Sequence, residues 1–302
     1  MIKTPPYLFP GSTIGLVCPS GYIPPDRMNT CVETLKEWGY NIKTGLTTNS
    51  VSDNYFSGSD EERLTDLQQM IDDPEIHAIM CARGGYGLTR IIDKIDFKHF
   101  CEHPKWLIGF SDVTILHSHV YTNYKISTIH GPMAGAFNDA ESDNKYLLSL
   151  RNVMEGKKIS YSCEPHTFNK KGAIIGELVG GNLSLLAHSI GTDSDIKTKG
   201  RILFLEDVGE YLYNTDRMFY QLKRAGKFDK LGGLIIGGFT GMKDTDRPFG
   251  KTIEEIISDV MSEYDFPMCF NFPVSHEKEN LALKIGVGYK LKVSKTRVTL
   301  SE

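Results

Sequence analysis

Three short segments of this 302-residue chain carry residue types that do chemistry where a buried strand ends. Arg83-Gly84-Gly85-Tyr86-Gly87 follows the apolar run His77–Ala82. Its glycines would let backbone N–H groups approach a ligand closely, as an oxyanion or phosphate site needs, or would simply make a tight turn. It is not a P-loop, since no Gly-Lys-Ser/Thr follows, and the Gly-x-Gly-x-x-Gly dinucleotide pattern is absent. Gly109-Phe110-Ser111-Asp112 turns a strand straight into a helix, the setting of a nucleophile elbow, where a serine hydroxyl projects at the sheet edge beside a helix N-terminus. The sequence is not Gly-x-Ser-x-Gly, so an ordinary α/β-hydrolase is disfavoured, and helix capping by Ser111 or Asp112 is the plainer reading. Glu206-Asp207 leaves the apolar run Ile202–Leu205, as a catalytic carboxylate or as a helix-capping, solvated group.

A histidine could link such a carboxylate to a serine, and the chain has nine. His117 and His119 lie two apart on a predicted helix and so point apart, which argues against a shared metal. His130, before Gly131-Pro132, ends a strand and competes for the role of base. His276 sits in the loop Pro273-Val274-Ser275-His276-Glu277, and a loop histidine is the better-placed general base. No His-Glu-x-x-His and no Cys-x-x-Cys occurs, so no metal cofactor is expected.

The elements that must position these residues follow from periodicity. Apolar runs at Thr13–Cys18, His77–Ala82 and Trp106–Phe110 read as strands, and amphipathic stretches at Asp26–Trp38, from Ser59, and at Asp112–Tyr121 read as helices between or after them. Ser59/Glu62 and Thr252/Glu255 have the spacing of capping boxes, the first opening a helix with Leu64, Leu67 and Ile71 inward. Such alternation predicts an α/β fold, with a doubly wound, mostly parallel N-terminal sheet domain over 1–155, closed by a helix at Asn144–Met154. A polar, irregular linker over 156–172 comes next, then a C-terminal α/β domain over 173–302. In that domain strands at Ala173–Val179, Ile202–Leu205 and Leu234–Gly238 alternate with helices near Leu183–Ile190, Asp216–Ala225 and Glu254–Tyr264. From Leu281 to Leu300 the pattern changes to a period of two with turn residues between, a terminal segment of short antiparallel strands.

Composition narrows the function classes. Thirty-four Lys plus Arg against 38 Asp plus Glu give a formal charge of −4, which disfavours nucleic acid as a partner. No apolar run approaches the ~20 residues of a membrane span, and the first residues lack the apolar region of a secretory signal. Six scattered cysteines inside mostly apolar runs fit a reducing compartment, so a cytoplasmic location is expected.

Taken in order, Ala82-Arg83-Gly84-Gly85-Tyr86-Gly87, Gly109-Phe110-Ser111-Asp112, His130-Gly131-Pro132, Gly180-Gly181-Asn182-Leu183, Leu205-Glu206-Asp207 and His276 with Ile285-Gly286 resemble the L,D-carboxypeptidase family, peptidase family S66. That family includes murein tetrapeptide carboxypeptidases and microcin C immunity proteins. The resemblance implies a cytoplasmic Ser-His-Glu hydrolase, usually a homodimer, with Ser111 as nucleophile, Glu206 as orienting carboxylate and His276 as base. For a murein peptide ending in D-alanine, the backbone N–H groups of Gly85 and Asp112 are expected to receive the oxyanion and Asn182 to contact the peptide; Arg83 is placed by position alone to meet its carboxylate, with a structural salt bridge as the other reading. The chain departs from the family in one place. His276-Glu277-Lys278-Glu279 and Leu283-Lys284-Ile285-Gly286 stand where members often have His-x-x-Pro and Leu-Pro-Ile-Gly, which leaves the base but alters the loop around it. Two other readings compete: an immunity-type hydrolase of peptidyl or aminoacyl nucleotides, with an aromatic wall for the base, and a non-catalytic sugar- or nucleotide-binding protein of two domains. The hydrolase readings predict that dialysis against a chelator leaves peptidase activity intact, and a loss that zinc restores would overturn the serine mechanism.

Overall fold

The computed structural model describes residues 2–49, 54–138 and 143–302, which divide into two compact units. The first comprises Met1–Lys157 with Leu281–Lys284, the second Lys158–Asn280 with Ile285–Glu302.

In the first unit the strands are β1 (Thr13–Val17), β2 (Asn41–Thr44), β3 (Ala78–Cys81), β4 (Trp106–Gly109) and β5 (Thr128–His130). Their helices are α1 (Asn29–Glu37), α2 (Asp60–Asp72), α3 (Lys98–Glu102), α4 (Thr114–Tyr124) and α5 (Lys145–Met154). β2, β1, β3, β4 and β5 lie side by side in that order, every pairing parallel. β3, β4 and β5 are buried along their whole length, as expected of strands covered on both faces. Because the strands run the same way, the carboxyl ends of β1, β3 and β4 share one edge, and the Ser20, Gly84–Gly87 and Ser111 segments emerge there together.

The second unit holds β6 (Ser160–Cys163), β7 (Gly172–Asn182), β8 (Ile202–Val208), β9 (Gly233–Thr240) and β10 (Met268–Cys269), with α6 (Leu183–His188), α7 (Leu212–Arg224) and α8 (Ile253–Val260). Parallel β10, β9, β8 and β7 form one side of its sheet. After β11 (Leu283–Ile285) come β12 (Gly288–Val293) and β13 (Val298–Ser301), which continue the sheet from β7 as antiparallel strands, with β6 last. The doubly wound first sheet and the α/β second sheet with antiparallel terminal strands match the fold class that the periodicity predicts.

Three local expectations change. β11 joins the first unit's sheet beside β5 instead of the antiparallel set, because Ala282 and Leu283 are buried there, with Ala282 donating its N–H to Ser149 Oγ at 2.9 Å. The stretch expected as an irregular linker contains β6, which pairs with β13 from Ser160 to Cys163. The inner face of α2 is rotated toward Arg63, Asp66, Leu67, Met70 and Ile71, with Leu64 only half-buried. Those two charges are buried because they satisfy backbone: Asp66 accepts the N–H groups of Leu46 and Thr47 at 2.9 Å, and Arg63 donates from Nη1 to Pro19 O at 2.6 Å while pairing with Asp60.

Both capping boxes form as the spacing requires: Ser59 Oγ accepts from Glu62 N at 3.2 Å and Glu62 Oε2 from Ser59 N at 2.7 Å, with Thr252 and Glu255 matching them at 3.3 and 2.8 Å. Among the described residues no helix is long and apolar enough to cross a membrane. Two substitutions separate local from tertiary stabilisation. Ser59→Ala should cost ~1 kcal/mol in denaturant unfolding, the usual value of an N-cap. Arg63→Leu should cost ~2 kcal/mol, since it leaves the Pro19 carbonyl without its buried donor, while Asp60 keeps Arg90.

Candidate active site

Ser111 follows β4 at φ +62°, a left-handed conformation rare for a side chain with a Cβ. Phe110 before it is fully extended, and a short 3-10 turn, Ser111–Val113, leads into α4. The chain therefore reverses at the serine itself, the geometry of a nucleophile elbow. The capping reading does not hold for either neighbour: no side-chain cap bond opens the turn or the helix. Asp112 is fully buried, and its Oδ2 accepts from Ser20 Oγ at 2.6 Å and Leu88 N at 2.8 Å. Burial pushes the Asp112 carboxyl up, against those two bonds, which favour its charged form.

The glycine loop after β3 packs against the serine. A Cβ on Gly84 would lie 2.8 Å from Ser111 Cβ, 3.0 Å from its Oγ and 3.4 Å from the Asp112 nitrogen, so only glycine allows the backbone to come this close. Gly85 is left-handed at φ +98°. The run is thus more than a turn, since its backbone lines the serine. Arg83 is exposed and its guanidinium donates to the Tyr22 carbonyl. His130 ends β5 fully buried, its ring 5.8 Å from that of Phe110.

In the second unit Glu206 lies on β8, wholly buried, and its Oε2 is 2.6 Å from His276 Nδ1. Burial alone disfavours a charged ring, but the bond to Glu206 and the charges of Glu206, Asp207 and Glu277 outweigh it and raise the His276 pKa above its ordinary value. Of the two adjacent carboxylates, only Asp207 does the work of a cap. It accepts from Ser184 N in the first turn of α6 at 3.0 Å, from Val208 N at 2.8 Å and from Asn182 Nδ2 at 2.9 Å. Burial, only partly opposed by the bonds from Asn182 and Val208, raises its pKa to about 6. Asn182 is itself buried, with Oδ1 capping α6 through Leu185 N at 3.2 Å.

Two glycines of β9 that no motif singles out seat His276. Its loop lies on Gly237 and Gly238 of β9: Gly238 N donates to Val274 O at 2.9 Å, a Cβ on Gly237 would come 2.3 Å from that carbonyl, and one on Gly238 2.5 Å from Ser275 Cβ. The β8–β9 register slips at this point, between Leu205 and Asp207. Paired glycines at the end of an apolar strand were the available signal. Among the described residues no group of three His, Cys, Asp or Glu is arranged to hold a metal.

Residues 14–131 match the profile of the LD-carboxypeptidase N-terminal domain and residues 175–291 that of the LD-carboxypeptidase C-terminal domain. The probable murein peptide carboxypeptidase of Bacillus subtilis is 35% identical over 93% of this chain and 89% of its own length. The crystal structure of muramoyltetrapeptide carboxypeptidase from Oxalobacter formigenes superposes with a TM-score of 0.86 at 27% identity, covering 96% of this chain and 98% of that one. The Microcin C7 self-immunity protein MccF of Escherichia coli is 25% identical over 97% of this chain and 94% of its own.

The imidazole–carboxylate bond predicts a pH signature. Because the folded pKa of His276 is raised, the stability it contributes is fully present below the ordinary histidine value and is lost as pH rises through the folded value. An imidazole NMR titration should find His276 protonated to higher pH than a free histidine, and Glu206→Gln should lower that midpoint by about one unit or more. An unchanged midpoint in a folded Glu206→Gln protein would show that the carboxylate does not hold the ring's charge.

Proposed function

We propose, from the premise that this chain belongs to the LD-carboxypeptidase family, that it is a serine carboxypeptidase which removes a C-terminal D-amino acid from an L,D peptide bond. The substrate is a murein tetrapeptide and the product D-alanine, a step of peptidoglycan recycling; the name of the Bacillus subtilis relative supports this choice. The observation that carries the reading is the 2.6 Å bond between buried Glu206 and His276 Nδ1, which assigns the ring proton to Nδ1 and the basic lone pair to Nε2.

In this reading Ser111, His276 and Glu206 act as one catalytic unit. Nε2 takes the Ser111 proton as Oγ attacks the scissile carbonyl, and Glu206 stabilises the imidazolium that forms. The N–H groups of Gly85 and Asp112 receive the oxyanion, each donor worth ~3 kcal/mol in the transition state. His276 then gives the proton to the leaving amine of the D-amino acid, and a water activated by the same ring hydrolyses the acyl-serine. Arg83, exposed beside the glycine loop, pairs with the substrate carboxylate. Asn182, with its amide committed to Asp207 and to α6, serves by positioning. No step requires a cofactor. The six cysteines are all free, which supports a cytoplasmic location, and the family resemblance supports a homodimer.

The self-immunity relative keeps a second substrate class in view, peptidyl or aminoacyl nucleotides cut by the same residues. Both tryptophans, Trp38 and Trp106, are core residues here, so neither offers an exposed indole wall for a base.

Steady-state assays should compare a tetrapeptide ending in D-Ala, its L-Ala epimer and an aminoacyl sulfamoyl-adenylate. The first should be cleaved with the highest kcat/KM, whereas preference for the third would move the protein to the immunity branch. Ser111→Ala and His276→Ala should each lower kcat by about three orders of magnitude or more, with the double variant little worse than either single. Glu206→Gln should hurt less, and His130→Ala should retain measurable turnover. Wild-type kcat/KM in folded Ser111→Ala would remove the nucleophile assignment.

A further inference from the structure

We propose that His117 is a positioning residue that holds Ser111 in its left-handed conformation, by hydrogen-bonding the backbone two residues before it. This goes beyond the carboxypeptidase reading and rests on it only in taking Ser111 as the nucleophile.

His117 lies one turn into α4, fully buried, and its ring reaches back to the last residue of β4, with Nε2 2.9 Å from Gly109 O. That carbonyl also accepts from Gly131 N at 3.2 Å, so the end of β4 is tied both to its own following helix and to the segment after β5. A carbonyl only accepts, so Nε2 must carry the proton. Burial agrees, pushing the ring pKa down to about 4 and keeping it neutral near pH 7. With Nε2 donating, Nδ1 is a buried lone pair, and it has no hydrogen-bond partner among the described residues. A leucine or phenylalanine would fill this interior without an unsatisfied nitrogen. The donor on the other side of the ring is what the imidazole offers in return.

The second anchor lies just past the serine, where Asp112 Oδ2 is held by Ser20 Oγ and Leu88 N. Gly109 and Asp112 are thereby pinned by buried bonds, and the turn between strand and helix falls on Phe110 and Ser111, of which Ser111 takes the positive φ. Non-glycine residues in this region persist only where their surroundings over-determine them. With only the longer Gly131 bond left on the β4 carbonyl, the cheapest relaxation would be a rotation of Ser111 out of φ +62°, which swings Oγ away from its present place beside Gly84.

Glutamine can reach as far as the imidazole Nε2, asparagine only as far as Nδ1, and leucine fills the space with no donor. Crystal structures and steady-state kinetics of His117→Gln, His117→Asn and His117→Leu test the proposal. In the Gln variant Ser111 should stay left-handed and kcat on the D-Ala tetrapeptide should remain within about threefold of wild type. In whichever of the Asn and Leu variants folds, Ser111 should leave positive φ and kcat should fall roughly 10- to 100-fold with KM within about twofold, the cost of a misplaced reacting atom. A folded Asn or Leu variant that keeps Ser111 at positive φ, or keeps the wild-type kcat, overturns it. Should the wild-type protein cleave none of the D-terminal peptides, the carboxypeptidase reading falls by itself, and the Ser111 conformation in the variants still decides this one.

Discussion

Holding a serine at φ +62° costs on the order of 1 kcal/mol or more, and at Ser111 that cost sits where β4 must become α4 without a loop. Much of the first unit can be read as the means of keeping it there. Gly84 has no side chain because one would strike Ser111. Asp112 turns inward to take two hydrogen bonds from the segments after β1 and β3. Arg63, buried on α2, donates to the Pro19 carbonyl next to Ser20, so the Asp112 partner is itself held. Apart from Arg63, which reaches over from α2, each contact joins segments that leave parallel strands at one edge of the sheet, which is where a doubly wound fold exposes backbone groups that no strand partner uses.

The second unit answers a different physical demand. A carboxylate as deeply buried as Glu206 needs a partner of opposite charge or a strong donor, and His276 supplies it at 2.6 Å. The histidine can be that partner only because β9 presents two glycines under its loop, letting the Val274 carbonyl and Ser275 side chain approach the strand backbone. Asp207, one residue on, shows how the alternation of a strand separates two like groups. One carboxylate meets the imidazole, and its neighbour is committed to the start of α6 and to Asn182.

Much of this was legible without coordinates, for reasons that are local. The apolar runs Thr13–Cys18, His77–Ala82 and Trp106–Phe110 located β1, β3 and β4, and the Ser59/Glu62 and Thr252/Glu255 spacings located the starts of α2 and α8, because a cap involves residues three apart. Ser111, Glu206 and His276 could be singled out because each ends or follows such a run, and six motifs in order pointed to one family.

What the chain's periodicity could not supply depends on residues far apart in sequence. The same period-two pattern covers β11, β12 and β13, yet β11 leaves the other two for the first sheet, where Leu283 is buried and the preceding Ala282 bonds to Ser149. The inner face of α2 includes Arg63 and Asp66, which a hydrophobic pattern places outside, because backbone groups of distant loops need their charges. The roles of Asp112 and His117 were hidden for the same reason. Sequence by itself determined the elements and the reactive residue types, since propensity, capping and alternation act over a few positions. Only tertiary structure decided which buried polar groups satisfy one another, since hydrogen-bond satisfaction in the interior is settled between elements, after the chain has folded back on itself.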